Sequence, residues 1–238
     1  MVTQLVGEFI GTLLLVLLGD AVVAGNVLKD TKEEGTGWLA IAIGWGVAVA
    51  IAAYCAGFLS PAHLNPAVTI AMAATGGFSW ALVGPFIGAQ MLGAMAGALL
   101  LWIHYLPHWK VTTNKGAILG SFATAPAIRH TVSNLFGEAL GTAVLVMGIM
   151  AIGHNNVVSG LGPIIVGLII LGIGLSLGPT TGYAINPARD LGPRIMHAIL
   201  PIKNKGGSDW GYSWIPVLGP ILGGTLGAFL YQFLINFS

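Results

Sequence analysis

Residues 183–190 read YAINPARD and residues 62–69 read AHLNPAVT. Each holds one Asn-Pro-Ala tripeptide, Asn65-Pro66-Ala67 and Asn186-Pro187-Ala188, and only the second runs on into a charged pair, Arg189 and Asp190. Asn is a preferred helix N-cap, and Pro is favoured at the first helical position, where its missing N–H is not needed. Each tripeptide therefore predicts a helix start. The apolar stretches that follow, Pro66–Thr75 and Pro187–Leu200, are too short to cross a hydrocarbon core of about 30 Å, which takes about 20 helical residues. They read as half-helices.

The rest of the chain supplies the membrane. Its 238 residues are 55% hydrophobic and only 7% charged, against roughly 25% charged in soluble domains. So few charges cannot coat a water-facing surface, and a net charge of +1 leaves no electrostatic footprint for nucleic acid. Six apolar runs are long enough to span: Leu5–Gly25, Trp38–Gly57, Trp80–His104, Asn134–Gly153, Val157–Leu177 and Trp214–Phe237. Several start or stop at Trp or Tyr, as at a headgroup boundary. The first run lacks a cationic leader and reads as a retained span rather than a signal peptide. A lone cysteine, Cys55, excludes an intramolecular disulfide.

The chain also echoes itself. Gly137-Glu-Ala-Leu-Gly-Thr repeats the pattern of Gly7-Glu-Phe-Ile-Gly-Thr, and Gly219-Pro-Ile-Leu-Gly that of Gly84-Pro-Phe-Ile-Gly. One domain, 1–238, is expected, made of repeats at approximately 1–105 and 134–238. Three spans per repeat force the copies into opposite orientations, an arrangement that places transport sites at the midplane. The two half-helix N-termini then meet at the centre, and two positive dipole ends repel cations there. Neutral molecules with lone pairs meet Asn amide donors, and the extended stretches Ser60–Leu64 and Thr180–Ile185 offer carbonyl acceptors. All nine Lys and Arg follow an odd-numbered span, which by the positive-inside rule makes that side cytoplasmic.

Paired Asn-Pro-Ala tripeptides on inverted three-span repeats, with Glu8 and Glu138 at matching positions, resemble the major intrinsic protein family of aquaporins and glycerol facilitators. Arg189-Asp190 after the second tripeptide resembles its glycerol-conducting bacterial branch. The resemblance implies an all-α membrane protein with six transmembrane helices and two re-entrant half-helices. Aquaporin-type pores are themselves the standing illustration of excluding protons and cations by such fields. It further implies a selectivity filter of Trp45, Gly174, Tyr183 and Arg189, with His63 lining the pore and Asp190 supporting the re-entrant loop beside Arg189. Glu8 and Glu138 are expected to accept hydrogen bonds from the re-entrant backbone. Tyr183 departs from the usual Phe, so a hydroxyl is expected to enter or flank the filter, favouring water or a small neutral hydroxy acid. The implied assembly is a homotetramer in the plasma membrane with both termini cytoplasmic, against the Lys/Arg bias.

The expected activity is passive passage of glycerol, water and other small neutral solutes, such as dihydroxyacetone, urea, hydrogen peroxide and lactic acid. The rival is a coupled secondary transporter, for which only Glu8 and Glu138 qualify as midplane titratable groups. No nucleophile–base pair or metal signature is evident: His104 and His108 flank Pro107 and lack a third ligand. Neither an enzyme, a metal nor a cofactor is expected. The runs Gly84-xxx-Gly88, Gly93-xxx-Gly97 and Gly219-xxx-Gly223-xxx-Gly227 read as helix-packing faces.

Overall fold

The computed structural model describes residues 1–237; Ser238, the last residue of the expected second repeat, lies outside them. All regular structure among the described residues is helical. The order is α1 (Val2–Val27), α2 (Trp38–Ala56), α3 (Pro66–Ala74), α4 (Trp80–His104), α5 (Leu106–Val111), α6 (Lys115–Gly120), α7 (Thr131–His154), α8 (Gly162–Ser176), α9 (Pro187–Ile199) and α10 (Ile215–Ile235), with a 3-10 turn at Gly178–Thr180. Helices α1, α2, α4, α7 and α10 are each long and apolar enough to cross a membrane.

The fifth expected span is shorter than its hydropathy implies. It was expected from Val157, but α8 begins at Gly162, with Pro163 in its first turn. Gly160 at φ +90° ends the preceding turn, and Pro163 fixes where the helix can start. Fifteen residues rise only about 22 Å, and the 3-10 turn Gly178–Thr180 carries the chain onward. The short helices α5 and α6 between α4 and α7 were not foreseen, because neither is long enough to leave a periodic signal.

Packing follows the twofold order of elements. Helix α1 lies on α4 as α7 lies on α10, and α2 meets α8 between the halves. The half-helices cross over: α3 packs on α10 and α9 on α4. Close approach at two of these crossings depends on missing side chains. A Cβ on Gly93 would lie 2.3 Å from the Phe9 carbonyl oxygen, and one on Gly223 only 1.9 Å from that of Ala139. Small residues at such crossings let backbones touch where lipid gives no hydrophobic drive for association. Gly84 and Gly88 depart from the expected packing face, since a Cβ on either meets nothing within 4 Å. The outer surface is apolar, with Ile43, Val47 and Ile51 on α2 and Leu226, Phe229 and Phe233 on α10 exposed, as lipid contact requires.

These contacts separate two chemically identical changes. Gly223→Ala should force α7 and α10 apart and destabilise the fold by about 1–3 kcal/mol, read as a lower aggregation temperature in detergent. Gly84→Ala, which adds the same methyl in open space, should leave that temperature unchanged; equal effects would contradict the packing.

Candidate functional site

Each half-helix begins at its Asn. The Oδ1 of Asn65 accepts from the N–H of Ala67 at 2.9 Å, and that of Asn186 accepts from Ala188 at 3.0 Å and Arg189 at 3.2 Å. Such caps satisfy helix-end donors and contribute about 1 kcal/mol each. The amide nitrogens tie the halves together reciprocally. Asn65 Nδ2 donates to the Ile185 carbonyl and Asn186 Nδ2 to the Leu64 carbonyl, both at 2.8 Å. One amide hydrogen of each Asn is thus spent on the junction. Both half-helix N-termini point at this junction.

The strands entering the junction are strained in the same way. Ala62 and Leu64 adopt φ +52°, and Tyr183 and Ile185 φ +36° and +42°, a left-handed conformation costing non-glycine residues roughly 1–2 kcal/mol each. Two fully buried carboxylates hold them. Glu8 accepts from the N–H of His63 at 3.0 Å and of Leu64 at 2.7 Å. Glu138 accepts from the N–H of Ala184 at 3.0 Å and of Ile185 at 2.8 Å. The positions relative to each Asn are identical. Glu8 is further bonded by Ser60 Oγ and Gln90 Nε2, both at 2.8 Å. Each carboxylate is tied to its re-entrant strand.

Beside the junction lies a cavity of about 330 Å³. Its apolar lining, including Leu15, Val49, Leu145, Ile149, Val166 and Ile170, comes from α1, α2, α7 and α8. Its polar lining comes from the two re-entrant strands and their caps, Ser60 to Asn65 and Tyr183 to Asn186, with Arg189. His63 is on this wall, its Nδ1 3.2 Å from Thr69 Oγ1 and its ring edge-on to Phe78.

Three of the four expected filter residues, Trp45, Tyr183 and Arg189, line this cavity together. The Arg189 guanidinium carbon lies 4.0 Å over the centre of the Trp45 ring, a cation–π contact. Gly174 does not itself line the cavity. It stands behind Tyr183, where a Cβ would fall 2.9 Å from the ring and its hydroxyl, and its carbonyl accepts from Trp38 Nε1 at 2.8 Å. The Tyr183 hydroxyl is also turned away: it is buried and has no hydrogen-bond partner among the described residues. The expected polar addition to the filter is therefore not exposed there.

The two neighbouring charges have separate partners. Asp190 bonds to structure around the re-entrant half-helix. It accepts from Arg194 Nε at 2.8 Å and from the Thr124 N–H and hydroxyl at 2.8 and 2.7 Å, pinning the 121–124 segment to α9. Arg194 also donates to the carbonyls of Thr124 and Ser208, both at 2.8 Å. The acid beside Arg189 is Asp20 of α1, at 3.1 Å. Neither Asp20 nor Arg194 belongs to a sequence motif, although an acid inside an apolar span is itself a signal.

Comparison with known proteins places this geometry. The family model described as "Major intrinsic protein" matches residues 1–231. The "Glycerol uptake facilitator protein 3" of Lactiplantibacillus plantarum is 57% identical over 91% of this chain and 90% of its own length. The "Glycerol uptake facilitator protein" of Streptococcus pneumoniae is 59% identical over 92% and 94% respectively. The aquaglyceroporin from Plasmodium falciparum, solved by X-ray crystallography, superimposes with a TM-score of 0.86 at 29% identity, covering 100% of this chain and 99% of that one.

Two substitutions probe the wall. A Cβ on Gly19 would come within 2.3 Å of the Trp45 ring, so Gly19→Ala should push the indole into the cavity and slow solute flux without lowering membrane insertion; unchanged flux would contradict the contact. Tyr183→Phe removes a buried hydroxyl without a partner, a group whose burial costs about 1–3 kcal/mol. It should leave the glycerol-to-water permeability ratio unaltered and raise thermal stability, and a shifted ratio would show that the hydroxyl reaches the pore.

Proposed function

This chain belongs to the major intrinsic protein family, and from that premise we propose that it is a passive membrane channel for glycerol that also passes water and other small neutral solutes. The observation that carries the reading is the two-sided cavity. Apolar side chains from four helices suit a carbon backbone, while strand carbonyls, the Asn65 and Asn186 amides and Arg189 suit hydroxyls. A polyol has both edges and water has one. Dihydroxyacetone, urea, hydrogen peroxide and neutral lactic acid share enough of this chemistry to belong in the same test.

In this reading Trp45, Tyr183 and Arg189 form the constriction, with Gly174 behind it making room for the Tyr183 ring. Asn65 and Asn186, with Pro66, Ala67, Pro187 and Ala188, form the centre. The field of the two helix N-termini opposes cations there. Glu8 and Glu138 act as fixed acceptors rather than as a proton relay, because their oxygens are committed to backbone N–H groups. That favours a channel over a coupled transporter.

Residues 1–238 form one domain of two inverted repeats, assembled as a homotetramer in the plasma membrane. Both termini are cytoplasmic. The Lys/Arg bias against this orientation is weaker than the sequence count, because Arg189 and Arg194 are buried rather than in a loop. A membrane-impermeant thiol reagent should reach a cysteine introduced at Val2 only from the cytoplasmic side; labelling from outside would reverse the assignment.

Stopped-flow measurements on reconstituted vesicles test the activity. Glycerol entry should rise in proportion to the glycerol gradient and be indifferent to proton or sodium gradients. Saturable entry that requires either gradient would replace the channel with a coupled transporter.

A further inference from the structure

Asp20 stands outside the twofold pattern of caps and carboxylates. It lies within α1 and is fully buried. A carboxylate at such a depth is costly unless a partner balances it. Its Oδ1 lies 3.1 Å from Arg189 NH1, in an ion pair whose side chains are 0% and 7% exposed. A face of the same guanidinium rests on Trp45, and Trp45 is seated on Gly19, the residue before Asp20. Helices α1, α2 and α9 therefore converge on one cation. Asp20 Oδ2 has no hydrogen-bond partner among the described residues, and Asp20 itself does not line the cavity.

We propose that Asp20 is the positioning residue of the constriction: it holds the Arg189 guanidinium on the Trp45 ring and cancels its charge, making a neutral filter that reads hydroxyl groups. This rests on the proposal that Trp45 and Arg189 form the constriction. A guanidinium alone offers donors and no acceptor, so it draws anions and solutes that only accept hydrogen bonds. Asp20 changes the charge. It takes up NH1 and balances the charge at a separation of 3.1 Å, leaving the remaining guanidinium donors for the cavity side. A hydroxyl accepts from those donors and donates to the strand carbonyls along the same cavity. A carboxylate meets the like charge of Asp20 and is turned back. The favoured solute class is the uncharged polyol, and small organic anions are excluded by Asp20 rather than attracted by Arg189.

The test compares wild type, Asp20→Asn, Arg189→Val and the double variant in vesicles. Formate leak near neutral pH is followed with a potential-sensitive dye, alongside glycerol and proton flux. Asp20→Asn leaves Arg189 uncompensated and should raise formate leak by roughly tenfold or more. The double variant, which has neither charge, should lose that rise. Formate leak unchanged by Asp20→Asn, or equally raised in the double variant, overturns the proposal. Should Asp20→Asn fail to insert, Arg189→Val decides, because it leaves Asp20 as the uncompensated charge. Its proton leak should fall roughly tenfold when Asp20→Asn is added, and equal leaks in the two overturn the proposal. The constriction is tested separately: if Arg189→Val changes neither glycerol nor proton flux, the assignment of Arg189 fails, whereas a changed Arg189→Val beside an inert Asp20→Asn removes Asp20 alone.

Discussion

Glu8 and Glu138 hold the backbone ahead of each half-helix in a conformation that non-glycine residues seldom adopt. Alternate residues there, Ala62 and Leu64 in one strand and Tyr183 and Ile185 in the other, have positive φ. At roughly 1–2 kcal/mol each, such strain persists only where neighbours over-determine it. The carboxylates do this by accepting from two consecutive N–H groups apiece. With the N–H groups satisfied sideways, the carbonyls of Leu64 and Ile185 are free to receive the opposite Asn. The junction of the two half-helices, the aim of their dipoles and the polar wall of the cavity all follow from that geometry.

Onto this symmetric frame the chain adds charge on one side only. Val68 and Thr69 stand where the second copy has Arg189 and Asp190. The two added charges do separate work: Asp190 is bound into a buried cluster with Arg194 and Thr124, while Arg189 lines the cavity beside Trp45 and is paired from behind by Asp20. Neighbouring residues in sequence thus serve support and selection respectively, because successive residues on a helix point in different directions.

Much of the fold was legible because its signals are local. Asn-Pro at a helix start has one reading in an apolar chain, and its repetition beside Glu8 and Glu138 revealed the twofold order. The features that escaped are set by contacts between distant elements. Asp20 and Arg189 are 169 positions apart, so no spacing rule joins them, although an acid inside α1 marked the place. The direction of the Tyr183 hydroxyl depends on Gly174 and Trp38, which pack around it from other helices. Gly84-xxx-Gly88 has the same pattern as Gly93-xxx-Gly97, and only the packed fold shows which pair touches a neighbour. Hydropathy gave the fifth span too many residues because it counts apolar side chains and does not register the break at Gly160 and Pro163.

A crystal structure of the protein grown in glycerol tests the two-sided cavity most directly. Glycerol should occupy the cavity with its hydroxyls toward Asn65, Asn186 and Arg189 and its carbon edge against Val49, Val166 and Ile170. Glycerol bound in the opposite sense, with hydroxyls on the apolar wall, or absent from the cavity while ordered elsewhere, would contradict a polyol path through this site.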